Sequence, residues 1–322
     1  MRQLCAALCG LYLLLPAVAS AQSCPNGHEV ALQVLGSGGP IADDDRASSG
    51  YLIWHQGRAR VLVDLGGGAL LRYGQSGARF ADLDAVLLTH LHADHSLGIP
   101  GLLKSGYFDT RERDLLIAGP TAGGNSRVNF PSIDEFLDVL LAERSGAYGY
   151  LSDYLDGSPK LNPIAVDAQI ADPMVVTQVL KTADLSIDAT PVSHGPVPAI
   201  AYRVTVGGMT IVFAGDQDGT AEGLERLASG VDLLVLHMPV PEDAGPRARA
   251  LHAIPSRVGE QADSAKAKRV LLSHFMARSL ADIDSNLGAF ESKFDGEYLP
   301  AEDLMCVGLY DALSDLHVTK HS

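Results

Sequence analysis

An α/β fold follows from three features of the 322-residue chain. Short apolar runs recur along it, each closed by Gly, Pro or a polar group, as buried strands are. Several of these runs are separated by stretches whose apolar residues repeat with helical spacing. Polar groups able to bind metal stand at the ends of the apolar runs, where a rigid scaffold would carry a site along one edge. With 47% hydrophobic residues the chain can bury an ample core, and no internal repeat divides it.

Residues 1–21 read as a secretory leader. Arg2 gives a positive start, residues 4–15 form an apolar run, Pro16 breaks it, and Ala19-Ser20-Ala21 supplies small residues for cleavage. Removal after Ala21 would leave one domain over residues 22–322. The apolar run is short for a membrane span, and Cys24 lacks the preceding small-residue context of a lipid anchor. A periplasmic or secreted protein without a stable membrane anchor is therefore expected. Cys5 and Cys9 leave with the leader. Cys24 and Cys306 are then either bridged, as an oxidising compartment allows, or Cys306 is a buried thiol in the last strand. The net charge of −15 argues against an extended nucleic-acid groove, and Lys266, Lys268 and Arg269 read as a solvated helix end.

The elements follow in order. A strand is expected over 29–35, closed by the Gly36–Pro40 turn, then a hairpin of strands 51–55 and 60–64 around Gln56-Gly57. Residues 85–88 form a short buried strand, and an apolar helix or turn with Leu97, Ile99 and Leu102 begins at Ser96. A strand over 115–118 precedes a helix over 133–141 with Ile133, Phe136, Leu137, Leu140 and Leu141 on one face. Residues 146–163 read as a loop whose Tyr148, Tyr150 and Tyr154 either line a substrate mouth or form a satellite apolar cluster. Strands are expected over 174–180, 185–191, 209–216, 231–236, 269–275 and 303–309, with helices over 221–227, from about Pro255, and over 281–294. Gly215 before Asp216 permits close backbone approach to a site. His28, His55, His317 and His321 read as surface residues, and His237 as structural or as a support to the site.

Four potential ligands, His90, His92, Asp94 and His95, crowd into six residues after the 85–88 strand. His90 and His92 are two apart in an extended turn and can reach one cation, while Asp94 and His95 can face a second. A single histidine here would be read as a surface or core residue. Three imidazoles and a carboxylate together have little packing value without an ion, and the donor mix suits Zn²⁺ better than Ca²⁺ or Mg²⁺.

The T-H-L-H-A-D-H run of Thr89 to His95 resembles the H-x-H-x-D-H signature of the metallo-β-lactamase superfamily, and its flanks are most similar to the ribonuclease Z branch and its phosphodiesterase relatives. The resemblance implies a four-layer αββα sandwich with two metals at one edge. It implies one ion on His90, His92 and His194, another on Asp94, His95 and His274, and Asp216 between them. It also implies that Asp64 orients a ligand imidazole from beneath. His252, ahead of the helix near Pro255, falls where the ribonuclease Z-like sequences contact the scissile phosphate, with Ala253-Ile254-Pro255-Ser256 in place of the commoner Ser-Thr. Asp43, Asp44 and Asp45 stand where the tRNA-processing enzymes carry basic residues, so tRNA is not the expected partner.

Two zinc ions about 4 Å apart would bring a bridging water to a pKa of about 7 and supply hydroxide as nucleophile. Asp94 would aim it, and His252 would protonate the leaving alkoxide or steady the phosphoryl group. The expected activity is a dinuclear zinc phosphodiesterase acting on a small or exposed phosphodiester. Two alternatives stand beside it: acyl hydrolysis of a lactone or β-lactam, for which His252 is dispensable, and metal binding without turnover.

Overall fold

The computed structural model describes residues 24–25, 27–169 and 175–309. Residues 1–21, Met174, His317 and His321 lie outside these residues. The strands, in chain order, are β1 (Val30–Gly36), β2 (Gly50–His55), β3 (Arg58–Leu65), β4 (Ala85–Leu87), β5 (Leu115–Pro120), β6 (Gly123–Gly124), β7 (Asn129–Phe130) and β8 (Leu161–Val166). They continue as β9 (Thr177–Lys181), β10 (Leu185–His194), β11 (Val197–Val206), β12 (Met209–Phe213), β13 (Leu233–His237), β14 (Arg269–Ser273), β15 (Glu297–Pro300) and β16 (Cys306–Leu309).

Two seven-stranded mixed sheets result, ordered β16-β1-β2-β3-β4-β5-β8 and β15-β14-β13-β12-β11-β10-β9. In each, an antiparallel part gives way to parallel strands, at β3–β4 in the first and at β12–β13 in the second. The sheets pack face to face. Val30, Leu32, Val34 and Val63 of the first meet Ile187, Tyr202, Phe213 and Leu271 of the second in one core. The alternate residues of the first sheet, among them Ala31, Leu62 and Val86, face helix residues such as Ile99, Leu102 and Leu137. The second sheet does the same toward Leu224, Val258 and Phe290. Strands buried on both faces read as unbroken apolar runs rather than alternating ones, and this is why they stand out in the sequence. The layers are helix, sheet, sheet, helix, the αββα sandwich that the resemblance implies.

Helix Ile133–Leu141 forms where its spacing predicts, opened by a capping box in which Ser132 Oγ accepts from Glu135 N–H and Glu135 accepts from Ser132 N–H. The 146–163 stretch departs from the expected loop. It holds helical turns at Gly149–Leu151 and Asp153–Asp156 and the start of β8, whose polar Asn162 and half-buried face give weak apolar patterning. Tyr154 is buried and donates to Leu103 O at 2.9 Å, while exposed Tyr150 lies against the Lys104 ammonium. Tyr154 thus belongs to the core between the first sheet and its helices, while Tyr150 stands 63% exposed. His55 is a correction: only 6% exposed, it lies 3.3 Å from Arg60, whose guanidinium also pairs with Asp84 and Asp184. Arg269 is another, since its guanidinium donates to Gly308 O at 2.7 Å rather than standing free in solvent.

Cys24 and Cys306 form a disulfide with Cα atoms 5.6 Å apart. No helix among the described residues is long and apolar enough to cross a membrane.

Candidate metal centre

β3 delivers Asp64 onto left-handed backbone, φ 54°, and buries it completely. A non-glycine residue held there marks a place where local strain is paid by surrounding contacts. The contacts are on hand. Asp64 accepts from Thr89 N–H and Thr89 Oγ1–H, each at 2.8 Å, and from His95 Nδ1 at 2.8 Å. The carboxylate thereby fixes the first residue of the histidine loop and the ring of its last. Gly66 lets the loop lie this close, because a Cβ there would fall 2.0 Å from the carbonyl oxygen of Asp94.

His90 and His92 precede the helical turn Ala93–Ser96 that carries Asp94 and His95. The structure brings the distant expected ligands to this loop. His90 Nε2 and His92 Nδ1 lie 3.0 Å apart, and the His194 ring packs 5.0 Å from that of His90 and 5.2 Å from that of His92. His274 Nε2 lies 3.1 Å from His95 Nε2, 3.3 Å from Asp94 Oδ2 and 3.2 Å from Asp216 Oδ1. Asp216 turns its other oxygen to His194 Nε2 and His252 Nδ1, each at 3.7 Å. Donor atoms of His90, His92 and His194 form one group able to hold a metal ion, and those of Asp94, His95, Asp216 and His274 another. A third combination, His194, Asp216 and His252, overlaps both.

The proton positions test whether ions fit. His194 Nδ1 lies 2.8 Å from Leu251 O, which can only accept, so Nδ1 carries the proton and Nε2 presents a bare lone pair. That Nε2 is buried without a hydrogen-bond partner, as are His252 Nδ1 and His274 Nδ1. His95 Nδ1–H donates to Asp64, which aims its Nε2 at His274 Nε2. Buried lone pairs facing one another cost free energy unless a cation lies between them. Burial and the neighbouring rings hold His90 and His92 below the usual imidazole range, in the neutral form that ligates. Burial also opposes charge on Asp216 and Asp94. The imidazoles of His274, His237 and His95 nonetheless hold Asp216 well below the usual carboxylate range, and those of His274 and His95 hold Asp94 at about 2. For His95, burial is outweighed by Asp64, Asp216 and Asp94, which raise it to about 9. The group as a whole seeks positive charge, and the residues fit a pair of divalent cations.

Residues 59–275 match the beta-lactamase superfamily domain, two thirds of the chain. The chain belongs to the metallo-β-lactamase superfamily. Within it, the ribonuclease Z-like and phosphodiesterase branch is the one the similarities indicate. The chain is 32% identical to ribonuclease Z of Mycobacterium bovis over 216 residues, covering 66% of this chain and 71% of that protein. It is 29% identical to ribonuclease Z of Haloarcula marismortui over 301 residues, 84% of this chain and 94% of that one. Among solved structures, the short form of human tRNase Z superposes with a TM-score of 0.67 at 19% identity, over 87% of this chain and all of the other, a likeness of fold. Membership and the buried His/Asp cluster make this metallo-β-lactamase-fold protein a metal-dependent hydrolase.

Around the ligands stand residues that sequence reading passed over or left open. His237 supports the site: its Nδ1 lies 2.7 Å from Asp216 Oδ1, and Tyr51 Oη lies 3.2 Å from its Nε2 while donating to Ser273 Oγ at 2.8 Å. Tyr51 sits in β2, so only the packing of one sheet on the other brings it there. Arg278, an exposed residue four after His274, donates from Nε to Pro239 O at 3.0 Å and is close enough to His252 to contribute to lowering its pKa. Burial is the largest cause, and with the His274 and His194 rings and, least, Arg278 it outweighs Asp216 to hold His252 at about 3. Phe130 in β7 meets the His92 ring at 6.0 Å. No spacing rule links these residues to the histidine loop; an Arg after the last histidine was the one available signal.

Proposed function

We propose that this protein is an exported dinuclear zinc phosphodiesterase acting on a small or exposed phosphodiester. The observation that carries the reading is the junction at Asp216, where two buried donor groups meet with His252 Nδ1 facing the same carboxylate. His90, His92 and His194 would hold one ion, Asp94, His95 and His274 the other, with Asp216 shared. When bound, such ions supply Lewis acidity at phosphoryl oxygens and a water acidified to near-neutral pKa.

The chain's own groups divide the remaining work. Asp64 holds the His95 ring and the Thr89 backbone, so the loop is set before substrate arrives. Asp94, 10% exposed at its side chain, is the carboxylate placed to accept a hydrogen bond from an attacking water and orient it. His252, buried with its Nδ1 3.7 Å from Asp216 Oδ2, is the imidazole placed to meet the leaving alkoxide or steady the phosphoryl group. Arg278, an exposed residue, offers its guanidinium for a non-bridging oxygen.

Several features support a small substrate. The ribonuclease Z relatives are nucleases by name, and the bond in RNA is a phosphodiester. This chain, however, is acidic overall and carries Asp43, Asp44 and Asp45 on the loop whose Gly39 packs against His274. That charge disfavours a long polyanion. The leader-like residues 1–21 and the Cys24–Cys306 disulfide support export. Purified protein beginning at Gln22 should contain two equivalents of zinc and turn over bis(4-nitrophenyl) phosphate in preference to a chromogenic cephalosporin and a homoserine lactone. Faster lactone or cephalosporin turnover would replace the reading with acyl hydrolysis, and metal without any turnover would reduce it to ion binding.

A further inference from the structure

Beside the metal-binding histidines runs a cleft of about 240 Å³ between the β6–β7 hairpin and the turn that joins β10 to β11. His194 forms part of its wall, so the cleft opens from the centre itself. Its remaining described walls come from the backbone of Gly123, Gly124 and Gly195, from Pro196 and Pro198, and from the side chains of Thr121, Gln169 and Ser193. Among the described residues, no ionisable side chain apart from His194 lines it. Ser193 Oγ is engaged, donating to Asp218 at 2.6 Å, and Thr121 Oγ1 accepts from Ala168 N–H at 3.2 Å. Gln169, exposed at the rim, keeps an amide able both to donate and to accept. Beyond the ion that His194 would hold, such a wall solvates a neutral polar group and offers an anion no counter-charge.

Resting on the phosphodiesterase reading above, we infer that this cleft is the subsite for one ester arm of the substrate and selects an arm that is small and uncharged. His252, which faces Asp216, does not line the cleft. The arm seated there is therefore the one that stays on phosphorus, and the leaving arm lies on the His252 side. An RNA strand would place a further phosphate at or near each neighbouring linkage, against a wall with no cation. The substrate class is a phosphodiester carrying a single phosphorus and one neutral polar alcohol. The volume of about 240 Å³ sets the size limit, and Gly123 closes the cleft against Pro198, where a Cβ would stand 2.7 Å from Pro198 Cγ.

The test compares two 4-nitrophenyl phosphodiesters whose second arms are isosteric, 2-carbamoylethyl and 2-carboxyethyl, on the zinc-loaded protein. With the leaving group constant, the amide should exceed the carboxylate in kcat/KM by about tenfold, through KM, as burial of an unpaired charge requires. Gln169→Lys, at the exposed rim, should narrow this ratio to under about threefold by giving the carboxylate a partner. Gly123→Val should raise KM for the amide about fivefold with kcat little changed, as a loss of binding uniform to ground and transition states would. Equal kcat/KM for both esters in the unaltered protein, or a ratio that Gln169→Lys leaves unmoved, overturns the subsite. Failure to cleave either ester, with two zinc ions bound, would overturn the phosphodiesterase reading itself and the subsite with it.

Discussion

The two halves of the metal centre are built differently. On the first sheet, four donors sit within six residues of one loop, and a single buried carboxylate, Asp64, braces that loop from below. On the second sheet, each donor stands alone: His194 ends β10, Asp216 follows β12 and His274 follows β14. Their convergence depends on strand order, which sets β10 through β14 side by side with all three groups at one edge. Their brace comes from afar, since His237 holds Asp216 and Tyr51 of the opposite sheet holds His237. A contiguous half can be read from sequence and formed locally, whereas a dispersed half exists only once both sheets are packed.

Substitutions can break or sharpen that contrast. The largest loss is expected for Asp216→Ala, which removes the carboxylate both donor groups share: phosphodiester turnover should fall about 10³-fold and bound zinc below two equivalents by elemental analysis. Full metal content with full activity would mean that the histidine loop suffices without the dispersed half. For His252→Ala the loss should be about 10²-fold on esters with an alkoxide leaving group and slight with 4-nitrophenolate, which needs no proton. Equal losses on both would assign His252 to ion binding instead. With Asp64→Asn, zinc affinity measured by chelator competition should drop about 10-fold to 100-fold, because the His95 ring loses its carboxylate partner. Tyr51→Phe is the mildest, about 1 kcal/mol in denaturant unfolding, with zinc stoichiometry unchanged. An effect of Tyr51→Phe on metal affinity as large as that of Asp64→Asn would show the remote brace to be no weaker than the local one.

The same contrast explains what sequence could reveal. Strands buried on both faces announce themselves as unbroken apolar runs, so most of β1 to β5 and β10 to β14 lie close to where patterning puts them. Edge strands lack that signal. β8, with Asn162 exposed, lies in a stretch that reads as a loop, and β15, four residues long and opening on exposed Glu297, gives no run to detect. In the centre, the 90–95 cluster is legible from residue types alone. His194, Asp216 and His274 are individually ordinary and gain meaning through the family resemblance. Tyr51, His237 and Phe130 acquire their neighbours only through packing between sheets and loops, and His55 illustrates the converse, a histidine that context leaves silent and the fold buries against Arg60.

Cys24 and Cys306 are joined across 282 positions, so nearly all the described chain is one covalent ring. A protease that severed a surface segment, such as the exposed tip at residues 125–128, would open the ring without producing two separate molecules. The pieces would migrate together until a thiol reagent parted them, and in an environment rich in hydrolytic enzymes a nicked copy would keep its halves in register.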